Sequence, residues 1–157
     1  MIGINSYPYR REYENLNGAE ADADHFETYL KGRLAESSGR KPKIISLRNA
    51  TREQILHGFS SLQTNYQDLR GNVAIIIFYA GHGARTKKPT EWTDWRTDND
   101  EIEMICPSDI GKMEGNSPPI EGIYDRTISA LLNRLSKEMG SNIVCLQRQL
   151  DVPALLT

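Results

Sequence analysis

Val73-Ala-Ile-Ile-Ile-Phe-Tyr-Ala-Gly-His-Gly83 decides how the rest of this chain is read. Val73 to Tyr79 is an unbroken apolar run, rich in β-branched residues and of strand length. Such a run predicts a strand buried on both faces, as in the middle of a parallel sheet. The run is expected to stop at Ala80-Gly81-His82-Gly83. Glycines allow a sharp turn and close backbone approach, leaving His82 as the one large side chain at the strand's end. In open α/β sheets the carboxyl edge is where ligands and chemistry collect. A histidine there is read either as a functional imidazole or as a structural one packed in the core.

Composition narrows the class. In 157 residues, 38% are hydrophobic and 25% charged, an ordinary balance for one globular domain with a real core. A net charge of −2 gives no electrostatic case for nucleic acid as a partner. No apolar run approaches the length needed to span a bilayer, so no membrane segment is expected. Cys106 and Cys145 form no framework of close pairs, and a reduced, cytoplasmic protein is expected.

Outward from the central run, the chain alternates strand and helix. Met1 to Asn5 reads as the tail of a strand, and Ser6-Tyr7-Pro8 and Leu16-Asn17-Gly18 as turns. Ala19 to Leu34 carries helical spacing in Ala19, Ala23, Phe26, Leu30 and Leu34. Lys43 to Leu47 predicts a short strand. Thr51 with Gln54 fits a capping box opening a helix that runs to about Leu69, with Ile55, Phe59 and Leu62 on one face. This order favours a parallel sheet with right-handed crossovers.

Residues 84–100 read as a polar loop in which Trp92 and Trp95 either pack the loop down or wall a site. Ile102 to Ile105 predicts a strand and Gly111 to Pro119 a loop. Residues 126–138 predict a helix with Asp125 as its N-cap, Ile128, Leu131, Leu132 and Leu135 as its apolar stripe and Gly140 as its stop. A further short strand starts at Asn142.

Six segments together resemble the caspase-like clan of cysteine peptidases, and the metacaspases in particular. They are IGINSYP, LNGAEADA, NATREQIL, IIIFYAGHG, ICPSD and GIYDRTISALLNRL, in that order. The resemblance implies an α/β, Rossmann-like three-layer sandwich: a mostly parallel sheet with helices on both faces. It implies hydrolysis of peptide bonds after Arg or Lys, with His82 as catalytic base and Gly83 lending an N–H to the oxyanion hole. Asp22 falls at the acidic position that receives the substrate's basic P1 side chain. Ala19 and Ala21 stand where the LxGCxNDA motif has cysteine and asparagine.

The family's nucleophile is a cysteine in a DxCxS-like turn after the strand that begins at Asn142. Here the sequence reads CLQRQLDVPALLT instead. The nucleophile is expected around Arg148 to Leu150, where there is no thiol. Cys145 is read as a small, buried strand residue, and Cys106 lies in a loop ahead of proline. The expectation is therefore an incomplete large-subunit half, residues 1–144, with a divergent tail, 145–157, and no peptidase turnover. The alternative is a pseudoenzyme or interaction module that associates with itself or a partner through an open sheet edge. On either reading the chain is expected to fold poorly alone, its first strand clipped and its last short. A nucleotide-binding α/β domain is disfavoured because no GxGxxG or GxxxxGK[ST] loop is present. No cofactor is required by this reading. The resemblance allows calcium on Asp94, Asp98, Asp100, Glu101 and Asp109, against the simpler reading of a solvated acidic loop.

Overall fold

The computed structural model describes residues 1–38, 42–65, 73–97 and 99–152. Strand β3 (Ile75–Lys87) is its axis, buried almost continuously from Ile75 to Ala84. Around it lie β1 (Ile2–Gly3), α1 (Ala19–Ser38), β2 (Leu47–Arg48) and α2 (Arg52–Asn65). After it come β4 (Glu101–Ile105), β5 (Ile123–Tyr124), α3 (Asp125–Met139) and β6 (Ile143–Val152). The expected helical ground from Tyr66 to Leu69 lies outside the described residues.

The strands make one mixed sheet in the order β2-β1-β3-β4-β5, with β6 also on β3. β1 pairs in parallel with β2 and β3, and β6 in parallel with β3 along ten residues, Ile75–Ala84 against Ile143–Val152. β4 pairs antiparallel with β3 and with β5. Because β6 takes one edge of β3, β1 and β4 share the other, β1 at Tyr79–Ala80 and β4 from Gly83 onward. Alternation along β3 then builds the layers. Phe78 and Ala80 pack on Ala19, Ala23 and Phe26 of α1. Tyr79 and Ile77 join the larger core with Ile55 and Phe59 of α2 and Leu135 and Met139 of α3. The expected three layers, helices on both faces of an α/β sheet, are what the chain forms.

Several elements differ from the sequence reading. β3 does not stop at Ala80-Gly81-His82-Gly83; it runs through to Lys87, because Gly83–Lys87 find a ladder in Glu101–Ile105. The loop expected from residue 84 therefore begins only after Lys87. The second strand is Leu47–Arg48 and not Lys43–Leu47, since β1 offers it only Ile2 and Gly3. Asp125 is not the N-cap of α3. Tyr124 holds that place without a side-chain cap, and Asp125 opens the helix with its Oδ1 accepting the Arg126 N–H at 2.6 Å. The last strand is not short, because β3 supplies a partner for each of its ten residues. Cys145 is exposed, since β6 carries little on either face.

Helix ends are closed as the sequence indicates at α2, where Thr51 N–H donates to Gln54 Oε1 (2.9 Å) and Gln54 N–H to Thr51 Oγ1 (3.3 Å). Asp109 Oδ1 adds a bond from the Arg52 N–H at 2.8 Å. Asn5 Oδ1, from the end of β1, accepts the Ala19 N–H of α1 at 2.9 Å. Asn49 Oδ1 in turn accepts the N–H groups of Asn5 and Ser6 at 2.8 and 3.0 Å. These side chains stitch the carboxyl ends of β1 and β2 to the start of α1.

Leu135 is fully buried in α3, whereas Leu131 is only partly so. Leu135→Ala is expected to cost about 2–5 kcal/mol and Leu131→Ala clearly less. Urea unfolding followed by circular dichroism measures both.

Candidate active site

The site is built on the backbone of β3. Tyr79 and Gly81 share one face of the strand by alternation, and the missing side chain at Gly81 leaves room for two phenol hydroxyls. A β-carbon there would stand 2.6 Å from Tyr79 Oη and 2.8 Å from Tyr7 Oη. Both hydroxyls instead grip His82. Its N–H donates to Tyr7 Oη at 2.8 Å, and its carbonyl accepts from Tyr79 Oη at 2.7 Å. The same carbonyl accepts the Cys106 N–H at 3.0 Å. Burial pushes the Tyr7 phenol up to about 12 and holds that of Tyr79 well above the ordinary phenol value, so both stay protonated at neutral pH.

The imidazole of His82 is buried, with Nε2 2.7 Å from the Glu14 carbonyl and Nδ1 3.2 Å from the Leu150 carbonyl. Tyr7 and Tyr13 cover it, ring centroids 4.7 and 5.7 Å away. A neutral imidazole carries one N–H and donates to only one of the two carbonyls. The shorter contact, to Glu14, favours the tautomer with the proton on Nε2, leaving the Nδ1 lone pair facing β6. A base of this geometry would draw a proton from the β6 side.

What stands there is main chain. The register sets Leu150 beside His82, Gln149 beside Gly81 and Arg148 beside Ala80. The Gln149 side chain lies over Gly83, where a β-carbon would be 2.5 Å from Oε1. Cys145 pairs with Ile77, five rows before His82, or roughly 16 Å along the strand at ~3.3 Å per residue. Cys106 is fully buried beside Tyr13, and burial pushes its thiol up to about 12, far from a thiolate at neutral pH.

Asp22 lies in the first turn of α1, whose start is bonded to Asn5 just beyond β1. Its Oδ1 accepts from Arg148 Nη1 at 3.0 Å. Arg148 and Leu150, two residues apart on β6, thus connect Asp22 and His82 along one edge of the sheet. Among the described residues, the acidic groups considered for calcium do not converge. Asp94 pairs with Arg126 and Asp100 with Lys88, while Asp109 caps α2. Asp98 lies outside the described residues, and no group of three potential ligands occurs among those described. Trp92 is packed down, edge-on to Tyr124 and under the Arg126 guanidinium.

Tyr7, Tyr13, Tyr79 and the Glu14 carbonyl did not stand out in the sequence. Two of the tyrosines sit in a turn-rich segment without periodicity, and a carbonyl has no sequence signal.

With this geometry in view, the match of a family model described as the caspase domain to residues 1–142 is decisive. The chain belongs to the caspase-domain family, and its α/β sheet with His82 on the central strand is that of a caspase-like cysteine peptidase domain. Neither a curated protein nor a solved structure matches it.

Gly81→Ala is expected to displace both tyrosine hydroxyls and to cost at least the ~1–3 kcal/mol of an overpacked core position. Thermal unfolding of the variant beside wild type measures the loss; an unchanged melting temperature would refute the crowding at Gly81.

Proposed function

We propose that this chain is a caspase-fold domain of metacaspase type that keeps the base of the catalytic pair and does not turn over peptides. In this reading His82 is the base and Asp22 the acceptor of a basic P1 side chain; Gly83, expected as the oxyanion donor, is paired on both edges of β3, and its N–H is not free for that role. The observation that carries it is the Leu150 carbonyl on His82 Nδ1, where the reaction requires a thiol. Acyl transfer needs the imidazole to take a thiol proton, so that the thiolate attacks the scissile carbonyl and the imidazolium then protonates the leaving amine. Without a sulfur at that place no acyl-enzyme forms. Loss of a nucleophile in comparable triads removes on the order of 10⁴-fold or more of the rate.

Purified protein given Arg-P1 and Lys-P1 peptides, with reductant and with or without calcium, is expected to show no turnover above buffer. Turnover abolished by both His82→Ala and Cys145→Ala would overturn this reading and make Cys145 the nucleophile. Turnover abolished by His82→Ala alone would overturn the inactivity and leave His82 in its role.

The second reading, an interaction module, is favoured by β6. Only one of its edges is paired among the described residues, and Val144, Leu146 and Leu150 are 47%, 41% and 61% exposed. An open, apolar edge of this length is a template for another strand. Association through it is expected to appear in sedimentation velocity as a concentration-dependent rise in mass, reduced by Leu146→Lys. A monomer at all concentrations would count against the module.

A further inference from the structure

We propose that Tyr7 is a positioning residue for the His82 imidazole, fixing which ring nitrogen carries the proton. The proposal rests on the reading of His82 as a base only for its chemical use, because the geometry concerns the ring itself.

Tyr7 is 2% exposed, so its hydroxyl has no water to substitute for a lost partner. That hydroxyl accepts the His82 N–H at 2.8 Å and donates to the Ile4 carbonyl at 3.3 Å. It therefore ties the histidine's own backbone to the end of β1. The Tyr7 ring, tilted 54° to the imidazole with centroids 4.7 Å apart, closes one side of the space in which the imidazole would turn.

The residue also belongs to the segment that orients the ring from the far side. Its N–H donates to Asn15 Oδ1 at 2.8 Å, and the Leu16 N–H to the Asn5 carbonyl at 2.8 Å. These bonds close residues 5–16 into a loop that delivers the Glu14 carbonyl to Nε2. One residue, through its hydroxyl and its own N–H, thus links the two things that fix an imidazole: where its backbone stands and where its N–H acceptor stands. Removing the hydroxyl leaves a buried N–H unpaired, costing about 1–3 kcal/mol, which a shift of His82 towards a new acceptor would recover. Such a shift lengthens the contact to Glu14 and lets the Leu150 carbonyl compete for the proton.

Tyr13 supplies the contrast. It too is buried against the imidazole, with centroids 5.7 Å apart, but its hydroxyl makes no hydrogen bond to His82. If tyrosines here only fill space, the two hydroxyls are equivalent to the imidazole.

The test is a long-range ¹H–¹⁵N correlation of the imidazole in ¹⁵N-labelled full chain, under mildly alkaline conditions. His82 is assigned by loss of its signals in His82→Ala. Wild type is expected to show a bare Nδ1 and a protonated Nε2 with well-separated nitrogen shifts. In Tyr7→Phe the two shifts are expected to converge as the tautomers interchange, and in Tyr13→Phe to stay apart. A wild-type pattern in Tyr7→Phe, or equal convergence in Tyr13→Phe, overturns the proposal. Should Tyr7→Phe fail to fold, Asn15→Ala, which frees Tyr7 from outside the core, carries the same expectation of convergence. An unchanged pattern in that variant then overturns it. Peptide turnover by the wild-type chain would refute the inactivity proposed above and leave this spectrum as it is.

Discussion

A buried strand must pair its backbone on both edges, and β3 meets that demand with three different partners. β6 runs along one edge, while β1 and then β4 divide the other. Leaving such N–H and C=O groups unpaired in the core would cost about 1–3 kcal/mol each. The position of every other element follows. α1 covers the face of Phe78 and Ala80, α2 and α3 the opposite one, and the loop from Asn5 to Leu16 closes over the place where β1 gives way to β4.

That handover is also where His82 sits. β1 ends its pairing at Ala80 and β4 begins at Gly83, so the backbone between them lacks a regular neighbour on that edge. Side chains fill the gap. Tyr7 Oη takes the His82 N–H, and the His82 carbonyl is shared between Tyr79 Oη and the Cys106 N–H. A break in strand pairing thus becomes a rigid mount for an imidazole, because the groups left over are satisfied by buried phenols whose own rotations are restricted by packing. Gly81 is the condition for this, since any side chain there would occupy the hydroxyls' volume.

The same mount sets the imidazole between two carbonyls from distant parts of the chain. Nε2 meets the Glu14 carbonyl from the loop before α1, and Nδ1 meets the Leu150 carbonyl of β6, with Arg148 on Asp22 two residues earlier. The contact between Arg148 and Asp22 is solvent-exposed on the arginine side and contributes little to stability. It nevertheless occupies a carboxylate that would otherwise face solvent at the edge of the sheet.

The alternation of apolar runs and helical stripes was enough by itself to establish an α/β fold with β3 at its centre, α1 and α3 in place and the capping box of α2. These features are local: burial period, helix spacing and reciprocal caps depend on residues within a few positions of one another. His82 stood out as a candidate for the same reason, as a lone large side chain between glycines after a buried run, but it was expected at a strand end and lies within β3. The end of β3, the true cap of α3, the length of β6 and the exposure of Cys145 were not legible, because each depends on a partner far away in the chain. Glycine after a strand permits a turn but equally permits close approach, and only the presence of Glu101–Ile105 alongside decided for continuation. The tyrosines around His82 were hidden for a further reason: their role is carried by hydroxyls meeting one stretch of backbone, and that meeting exists only once β1, β3 and the loop between β1 and α1 are packed together.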